Sequence, residues 1–271
     1  MGPHPDLMPD PGEDGLHRTR LLEACGDFPD LRAAALDALR AARAALRASS
    51  SEEIGEHTRE VKSRADEAAD AAVRAALSRT NLPILSEEAA SMSWADQSGV
   101  CWVVDPLDGT VNYMRGLAPS RISIALCAGD TALYGLIGDA AREELTEGGV
   151  ALPLKHNAEA ANAWRSRPLR ESIVLTGFPA GRNLAPEDLG DFRRLLFSVR
   201  RVRLWGSAAA SLEAVALGHA DGYIERQIGF WDVAAGLALL YSAAVPFHTS
   251  PLTTSGRIDV IAGCALQIFP A

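Results

Sequence analysis

Residues 100–113 read Val-Cys-Trp-Val-Val-Asp-Pro-Leu-Asp-Gly-Thr-Val-Asn-Tyr. The apolar start of this stretch has the β-branched and aromatic bias of a strand that is buried on both faces. Pro106 and Gly109 then predict the end of the strand and a turn. Asp105 and Asp108 are therefore expected at the carboxyl end of a buried strand, where open α/β sheets tend to build their sites.

Two carboxylates three residues apart on a tight turn repel each other unless a cation lies between them. Oxygen ligands of this kind suit a hard divalent cation such as Mg²⁺. Gly109 and Thr110 would open a short helix whose N–H groups can face a phosphate. Taken alone, the stretch also fits a plain turn with an Asp cap, because Asp, Pro and Gly dominate turns for conformational reasons.

Composition narrows the class of protein. The chain has 271 residues, a formal net charge of −9 and no run of Lys or Arg, which argues against a nucleic-acid polymer or an anionic membrane as partner. The sequence has neither a signal-peptide pattern nor an apolar segment long enough to span a bilayer, so we expect a cytoplasmic protein. An anionic substrate would need a local positive centre.

The cysteines and histidines do not indicate a zinc site or a disulfide framework. Cys25, Cys101, Cys127 and Cys264 are widely spaced, and three of them lie in apolar segments, so we expect buried thiols. The six His residues show no metal-ligand spacing. Carboxylates are the better candidates for the chemistry.

The order of predicted elements divides the chain in two. After a disordered tail at 1–20, we expect two Ala-rich helices at 28–48 and 57–79, then the strand at 100–105. A hairpin of strands 122–128 and 132–138 joins the same sheet. We place the boundary near residue 150, which gives an α+β domain at 21–150 and a second domain at 151–271.

The second domain alternates between strand and helix, as a layered α/β unit does. The predicted elements are strand 172–176, helix 187–198, strand 200–204, helix 207–218, strand 221–225 and helix 231–243.

Acidic residues at three further places along the chain fit a carboxylate site. Glu87 and Glu88 follow a short apolar strand, Asp232 opens the last long helix, and Asp70 lies on the second helix. Each also has an ordinary structural interpretation: a surface Glu pair, a helix cap and a solvated helix face. Their order along one chain is what favours a common site.

That order resembles the inositol monophosphatase family of magnesium-dependent, lithium-sensitive phosphatases. The resemblance covers roughly residues 55–265 and rests on Asp-Pro-Leu-Asp-Gly-Thr-Val-Asn-Tyr at 105–113 and Trp-Asp-Val-Ala-Ala-Gly at 231–236. Shorter matches are Lys62-Ser63 with Asp70, Thr-Gly-Phe-Pro at 176–179, Arg-Leu-Trp-Gly-Ser-Ala-Ala at 203–209 and Asp-Gly-Tyr-Ile-Glu at 221–225. The resemblance implies a layered αβαβα sandwich, the sugar-phosphatase fold of inositol monophosphatases and fructose bisphosphatases.

The resemblance also implies a metal site. One Mg²⁺ is expected on Glu87, Asp105 and the carbonyl of Leu107, and a second on Asp105, Asp108 and Asp232, with a third, weaker ion near Glu87. Paired metal ions clamp phosphate oxygens and activate water for in-line displacement.

Catalytic and substrate-binding roles follow from the same resemblance. Thr110 with Asp70 is expected to orient and deprotonate the attacking water, and the N–H groups of Gly109 and Thr110 to bind the phosphate. Glu225 and Ala208 match positions of the substrate pocket. A homodimer and inhibition by lithium are expected on the same ground.

Three residues depart from the family pattern. Glu67 stands where the family has Thr three residues before the Asp matched here by Asp70, and Ser86 stands where it has Gly. Arg121 precedes the strand after the signature loop, by which we mean residues 105–113, at a position the family fills with a small or apolar residue. Arg121 fits either a second phosphate or carboxylate contact or a solvent-facing charge at the start of a strand.

The predicted activity is phosphomonoester hydrolysis of a small phosphorylated polyol, sugar or nucleotide. Alternatives within that chemistry are 3'-phosphoadenosine 5'-phosphate, histidinol phosphate and an intermediate of specialised nucleotide biosynthesis. An alternative of another class is a metal-binding regulatory subunit with weak catalysis.

Overall fold

The computed structural model describes residues 19, 22–23, 27–49, 53–54, 62–88, 99–161, 164–178 and 188–270. The predicted tail at 1–20 lies almost wholly outside these ranges, as does Cys25. None of the helices in the described part of the chain combines the length and apolarity needed to cross a bilayer.

Two long helices open the described chain. Helix α1 (Phe28–Ala48) has the predicted bounds, and a short ribbon of β1 (Glu53–Ile54) and β2 (Lys62–Ser63) precedes helix α2 (Arg64–Leu77). Helix α2 begins at Arg64 rather than near 57, because Ser63 and Asp66 form a capping box at its N-terminus. Residues 55–61 lie outside the described ranges.

Within the described ranges, the first sheet has seven strands in sequence order from β3 to β9. They are β3 (Ile84–Ser86), β4 (Val100–Asp108), β5 (Arg121–Ala128), β6 (Thr131–Asp139), β7 (Leu145–Gly149), β8 (Leu152–His156) and β9 (Glu159–Ala160), with helix α3 (Thr110–Met114) between β4 and β5. The β3–β4 pair is parallel and the others are antiparallel. Pairing of β7 with β8 and β8 with β9 carries this sheet past the domain boundary predicted near residue 150.

The described residues form five strands of a second sheet, in the order β11-β10-β12-β14-β13. The elements of this half are β10 (Ile173–Thr176), α4 (Asp188–Ser198), β11 (Arg201–Arg203), α5 (Ala208–Ala216), β12 (Gly222–Gly229), α6 (Phe230–Ser242), β13 (Phe247–Thr249) and β14 (Arg257–Gly263). The predicted alternation of strands and helices is present. Strand β12 continues four residues further than predicted, and α6, which carries Asp232, begins at the next residue.

The elements stack in five layers. Helices α1 and α2 pack on one face of the first sheet, α5 and α6 fill the space between the sheets, and α4 covers the outer face of the second sheet. Apolar side chains of both sheets and of α5 and α6 form one continuous core. This is the predicted αβαβα arrangement. The thiols of Cys101, Cys127 and Cys264 are buried and free, as predicted.

Candidate active site

The carboxyl end of β4 carries Asp105 and Asp108. Strand β4 continues through Pro106 to Asp108, with an irregularity in its pairing to β5 between the two acids. Both carboxylates are buried, and Asp105 Oδ1 accepts a hydrogen bond from the N–H of Leu107 at 2.9 Å. The pairing irregularity turns both acids inward, whereas a regular strand would place residues three apart on opposite faces.

Gly109 follows β4 in a conformation that other residues rarely adopt. Its φ is +89°, and a Cβ at this position would lie 3.1 Å from the carbonyl oxygen of Pro119 and 3.2 Å from that of Gly206. Helix α3 starts at the next residue, Thr110. The backbone of the signature loop therefore packs tightly against two neighbouring segments, and glycine is required there.

Three carboxylates from separate elements meet at this edge. Glu87, Asp105 and Asp232 each offer an oxygen atom, and the three oxygen atoms lie within 4.8 Å of one another. Glu87 follows β3 and is held to β4 by its N–H, which donates to the carbonyl of Val104 at 3.2 Å, while Asp232 lies in the first turn of α6. Three of the predicted metal ligands are thus brought together.

Asp105 carries the strongest sign that this cluster holds a cation. Its Oδ2 is buried and has no hydrogen-bond partner among the described residues. Burial, followed by the negative charges of Glu87 and Asp232, raises the pKa of Asp105 well above its ordinary value. Burial and the charge of Glu87 likewise raise the pKa of Asp232. An oxygen-only donor set of this kind fits a hard divalent cation.

Asp108 lies close to these three carboxylates and also binds the N-terminus of α5. Its Oδ2 accepts hydrogen bonds from the hydroxyl of Ser207 at 2.6 Å and from the N–H of Ala209 at 2.7 Å. Burial raises its pKa to about 6, against the opposing effect of these hydrogen bonds. Asp108 therefore ties the signature loop to the N-terminus of α5 and lies beside, rather than within, the three-carboxylate cluster.

Thr110 is paired with Asp66, and not with the predicted Asp70. The hydroxyl of Thr110 donates to Asp66 Oδ1 at 2.8 Å. The other oxygen of Asp66 accepts the N–H of Ser63 at 2.8 Å, which fixes the carboxylate. Asp70 lies one helical turn further on, where it accepts from the hydroxyl of Ser86 at 2.6 Å and from Arg74 Nε at 2.7 Å.

Arg121 is largely buried and contacts carboxylates of the protein itself. Its guanidinium forms ion pairs with Asp139 at 2.6 Å and with Glu213 at 2.7 Å, and its side chain is 16% exposed. Glu213 also accepts a hydrogen bond from the hydroxyl of Thr146 at 2.6 Å. Arg121 thus joins β5, β6 and α5, so these contacts favour a structural role, and the substrate contact stays a prediction.

A cavity of about 360 Å³ opens beside the carboxylates. Among the residues lining it are Glu225 and Ala208, at the positions predicted for the substrate pocket. Burial raises the pKa of Glu225 to about 7, although the hydroxyl of Tyr223 donates to Glu225 Oε2 at 2.8 Å and opposes that rise. Gly177 makes room for this carboxylate, because a Cβ there would lie 2.3 Å from Glu225 Oε2.

The sequence profile of the inositol monophosphatase family matches residues 28–245, which is most of the chain and includes every predicted metal ligand. The chain belongs to the inositol monophosphatase family. Two relatives illustrate the similarity. An inositol-1-monophosphatase of Synechocystis sp. is 34% identical over 180 residues, 65% of this chain and 62% of the relative. A Nus factor SuhB of Xylella fastidiosa is 38% identical over 148 residues, 53% of each protein. The chain therefore spans less than two thirds of the length of these relatives.

A solved structure of the family agrees with the fold. Inositol monophosphatase from Anabaena (Nostoc) sp. PCC 7120 superposes with a TM-score of 0.74 at 30% identity, over 87% of this chain and 92% of that chain. The layered sandwich predicted from the sequence is confirmed.

The geometry changes how this chain fits the family pattern Thr-x-x-Asp. Ser63 stands three residues before Asp66, so the hydroxyl and the carboxylate of that pattern are both present one helical turn earlier than predicted. Glu67 is exposed and lies outside the pattern, and Ser86 donates to Asp70 rather than disturbing the cluster. The spacing of Ser63 and Asp66 was the signal that could have identified this pair.

The sequence interpretation also missed part of the cavity wall. Phe178, Ile228, Trp231 and Arg257 line the cavity together with the predicted residues. Arg257 belongs to β14, which no motif marks, and it reaches the cavity because β14 pairs with the end of β12. Only the sheet order places it there.

Proposed function

We propose that this member of the family is a magnesium-dependent phosphomonoesterase acting on a small phosphorylated polyol, sugar or nucleotide. The observation that carries the proposal is the unpartnered, buried Oδ2 of Asp105 within a cluster of three carboxylates. Leaving a buried carboxylate oxygen unsatisfied is costly, and a bound divalent cation removes that cost. The donor chemistry therefore fits the cofactor expected from the family.

The metal ligands would be divided between two ions. Glu87, Asp105 and the carbonyl of Leu107 would hold one, and Asp105, Asp108 and Asp232 the other. Bound magnesium would supply positive charge against the phosphate oxygens and lower the pKa of water. The chain's own contribution is to hold these ligands rigidly, through the Leu107 N–H on Asp105 and the α5 N-terminus on Asp108.

Thr110 and Asp66 would orient the attacking water. The hydroxyl proton of Thr110 has two acceptors in reach, Asp66 Oδ1 at 2.8 Å and the carbonyl of Leu107 at 3.1 Å. Because the shorter contact directs the proton to Asp66, the Thr110 oxygen is left to accept a hydrogen bond from that water. Asp66 would then hold the proton that the water gives up through Thr110. This assigns to Asp66 the role that the sequence interpretation gave to Asp70.

The remaining groups would bind the substrate. The N–H groups of Gly109 and Thr110, in the first turn of α3, have no acceptor within that helix and would contact the phosphate. Glu225, held by Tyr223, would accept a hydrogen bond from a hydroxyl of the polyol or ribose beside Ala208. Buried hydrogen bonds of this kind discriminate strongly between substrates.

Phosphate release from inositol, sugar, nucleotide and histidinol phosphates tests the proposal, with magnesium and with a chelator. We expect magnesium-dependent release that falls at least about 100-fold in Asp232→Asn. Asp130→Asn is the matched control, because Asp130 is an exposed carboxylate in the β5–β6 turn. Full activity of Asp232→Asn, or activity indifferent to the chelator, would contradict the proposal.

A regulatory role is the competing proposal, and some relatives are named Nus factor SuhB. Magnesium binding without release of phosphate from any ester would favour the regulatory role.

The homodimer expected from the family is a separate proposal. Light scattering would test it.

A further inference from the structure

The cavity wall includes one positively charged side chain that the proposed chemistry does not use. Arg257 is the sole Lys, Arg or His among the described residues that line the cavity. Five carboxylates line the same cavity: Glu87, Asp105, Asp108, Glu225 and Asp232. Metal ions would compensate those nearest Asp105, which leaves the role of Arg257 to be explained.

The guanidinium of Arg257 is positioned by its surroundings. It lies over the indole of Trp231, with 5.3 Å between the guanidinium carbon and the ring centroid. Arg257 pairs across the sheet with Gly229, where a Cβ would lie 2.5 Å from Cε2 of Trp231. Because Gly229 has no side chain, the indole can occupy this space. Stacking on an aromatic face restricts an Arg side chain and leaves the edge of its planar guanidinium available to a ligand.

The side chains next to Arg257 do not neutralise it. Asp259, two residues further along β14, is engaged by Arg226 at 3.1 Å and by the N–H and side chain of Gln227 at 2.9 and 3.1 Å. Among the described residues, no carboxylate forms an ion pair with Arg257. A half-buried guanidinium without an acidic partner is a favourable place for a carboxylate or phosphate, which it can bind through two parallel hydrogen bonds.

We propose that Arg257 binds a second anionic group of the substrate, so that the preferred substrate is a phosphomonoester carrying an additional carboxylate or phosphate. The proposal rests on the proposed phosphatase function and specifies its substrate class. One phosphate would lie at the carboxylate cluster, and the second anionic group would lie against Arg257 and Trp231. A cavity of about 360 Å³ is at the small end of the range for ligand sites, which suits a compact metabolite.

Matched pairs of small phosphate esters test this assignment. 3-Phosphoglycerate has a carboxylate where glycerol 3-phosphate has a hydroxymethyl group. Fructose 1,6-bisphosphate has one phosphate more than fructose 6-phosphate. Both kcat/KM with magnesium and binding affinity by calorimetry would be measured for each compound. The two pairs distinguish a carboxylate from a phosphate as the second group.

We expect the wild-type protein to prefer the more anionic member of at least one pair by about 10-fold or more. Arg257→Gln is expected to remove that preference and to leave the less anionic member within about 2-fold, while Arg257→Lys retains part of it. Arg142→Gln, which changes an exposed Arg on a loop away from the cavity, is the matched control.

If the wild-type protein showed equal kcat/KM and equal affinity for both members of each pair, that result alone would overturn the proposal. An equal loss for both members in a folded Arg257→Gln protein would also overturn it, because Arg257 would then act only on the metal end of the cavity. Calorimetry separates this proposal from the proposed function. Arg257-dependent binding without phosphate release would support the anion site and contradict the phosphatase.

Discussion

The hydroxyl of Thr110 donates a hydrogen bond to Asp66 Oδ1 at 2.8 Å, joining the first turn of α3 to the first turn of α2. Asp66 is itself held by the N–H of Ser63, so its carboxylate has one fixed orientation. The cap of α2 and the pair proposed to orient the attacking water therefore share one carboxylate, and the start of α2 would determine where that water is held.

Asp66→Asn is expected to lower kcat/KM by about 100-fold, because the amide cannot take up a proton passed through Thr110. Asp70→Asn is the matched control, since Asp70 lies on the same helix one turn away and contacts Ser86 and Arg74 instead. Steady-state phosphate release from both variants provides the comparison. If Asp70→Asn proved as damaging as Asp66→Asn, the original assignment of Asp70 would be restored.

Loss of Arg121 is expected to affect stability rather than substrate affinity. Arg121→Met leaves Glu213 and Asp139 without their cation, and removing one partner of a buried ion pair costs about 3–5 kcal/mol. Arg121→Met with Glu213→Leu should recover part of that loss. Urea unfolding measures the change, and KM should stay within about 2-fold.

A large rise in KM of Arg121→Met with little loss of stability would instead show that Arg121 contacts the substrate. Arg142→Met, at an exposed position, controls for the general effect of removing an Arg.

Gly177→Ala is expected to impair substrates that present a hydroxyl to Glu225. The new Cβ would displace the Glu225 carboxylate, while the backbone around Gly177 can stay in place. We predict a higher KM for inositol phosphates and an unchanged kcat/KM for p-nitrophenyl phosphate, which lacks the polyol. Equal loss on both substrates would mean that Gly177 supports the metal site instead.

Glu225 is expected to make stability depend on pH. Its pKa of about 7 in the folded protein exceeds the ordinary value of 4.5, so the folded state binds the proton more tightly than the unfolded state. This contribution to the free energy of unfolding is complete below pH 4.5 and falls by about 1.4 kcal/mol per unit as pH rises towards 7. Above pH 7 it falls no further.

Glu225→Gln removes this titration, so its stability relative to wild type should increase between pH 4.5 and 7 and then level off. Thermal unfolding at several pH values in the presence of a chelator provides the measurement. A difference between the two proteins that does not vary with pH would contradict the pKa assigned to Glu225.

The sequence predicted the layers and most of the site because local patterns encode them. A buried strand ending at Asp105, the first-turn acid Asp232 and the apolar periodicity of α1 and α6 are local signals. The partner of Thr110 was missed because Asp66 and Asp70 lie on one face of α2, and only the placement of that helix against β4, which leads into α3, selects between them. The contacts of two arginines are not local in sequence. Arg121 pairs with Glu213, which is 92 residues away along the chain, and Arg257 lies opposite Gly229 on the neighbouring strand. No local sequence pattern predicts these contacts.

The proposed function requires that Glu87, Asp105 and Asp232 hold the divalent cation on which phosphate hydrolysis depends. Anomalous diffraction from crystals soaked in Mn²⁺, which accepts the same oxygen ligands as Mg²⁺, tests it most directly. We expect an anomalous peak about 2.0–2.3 Å from Asp105 Oδ2, at a position shared with Glu87 and Asp232. Absence of a peak at saturating Mn²⁺, with Asp105 Oδ2 bonded to a water molecule or a proton instead, would contradict it.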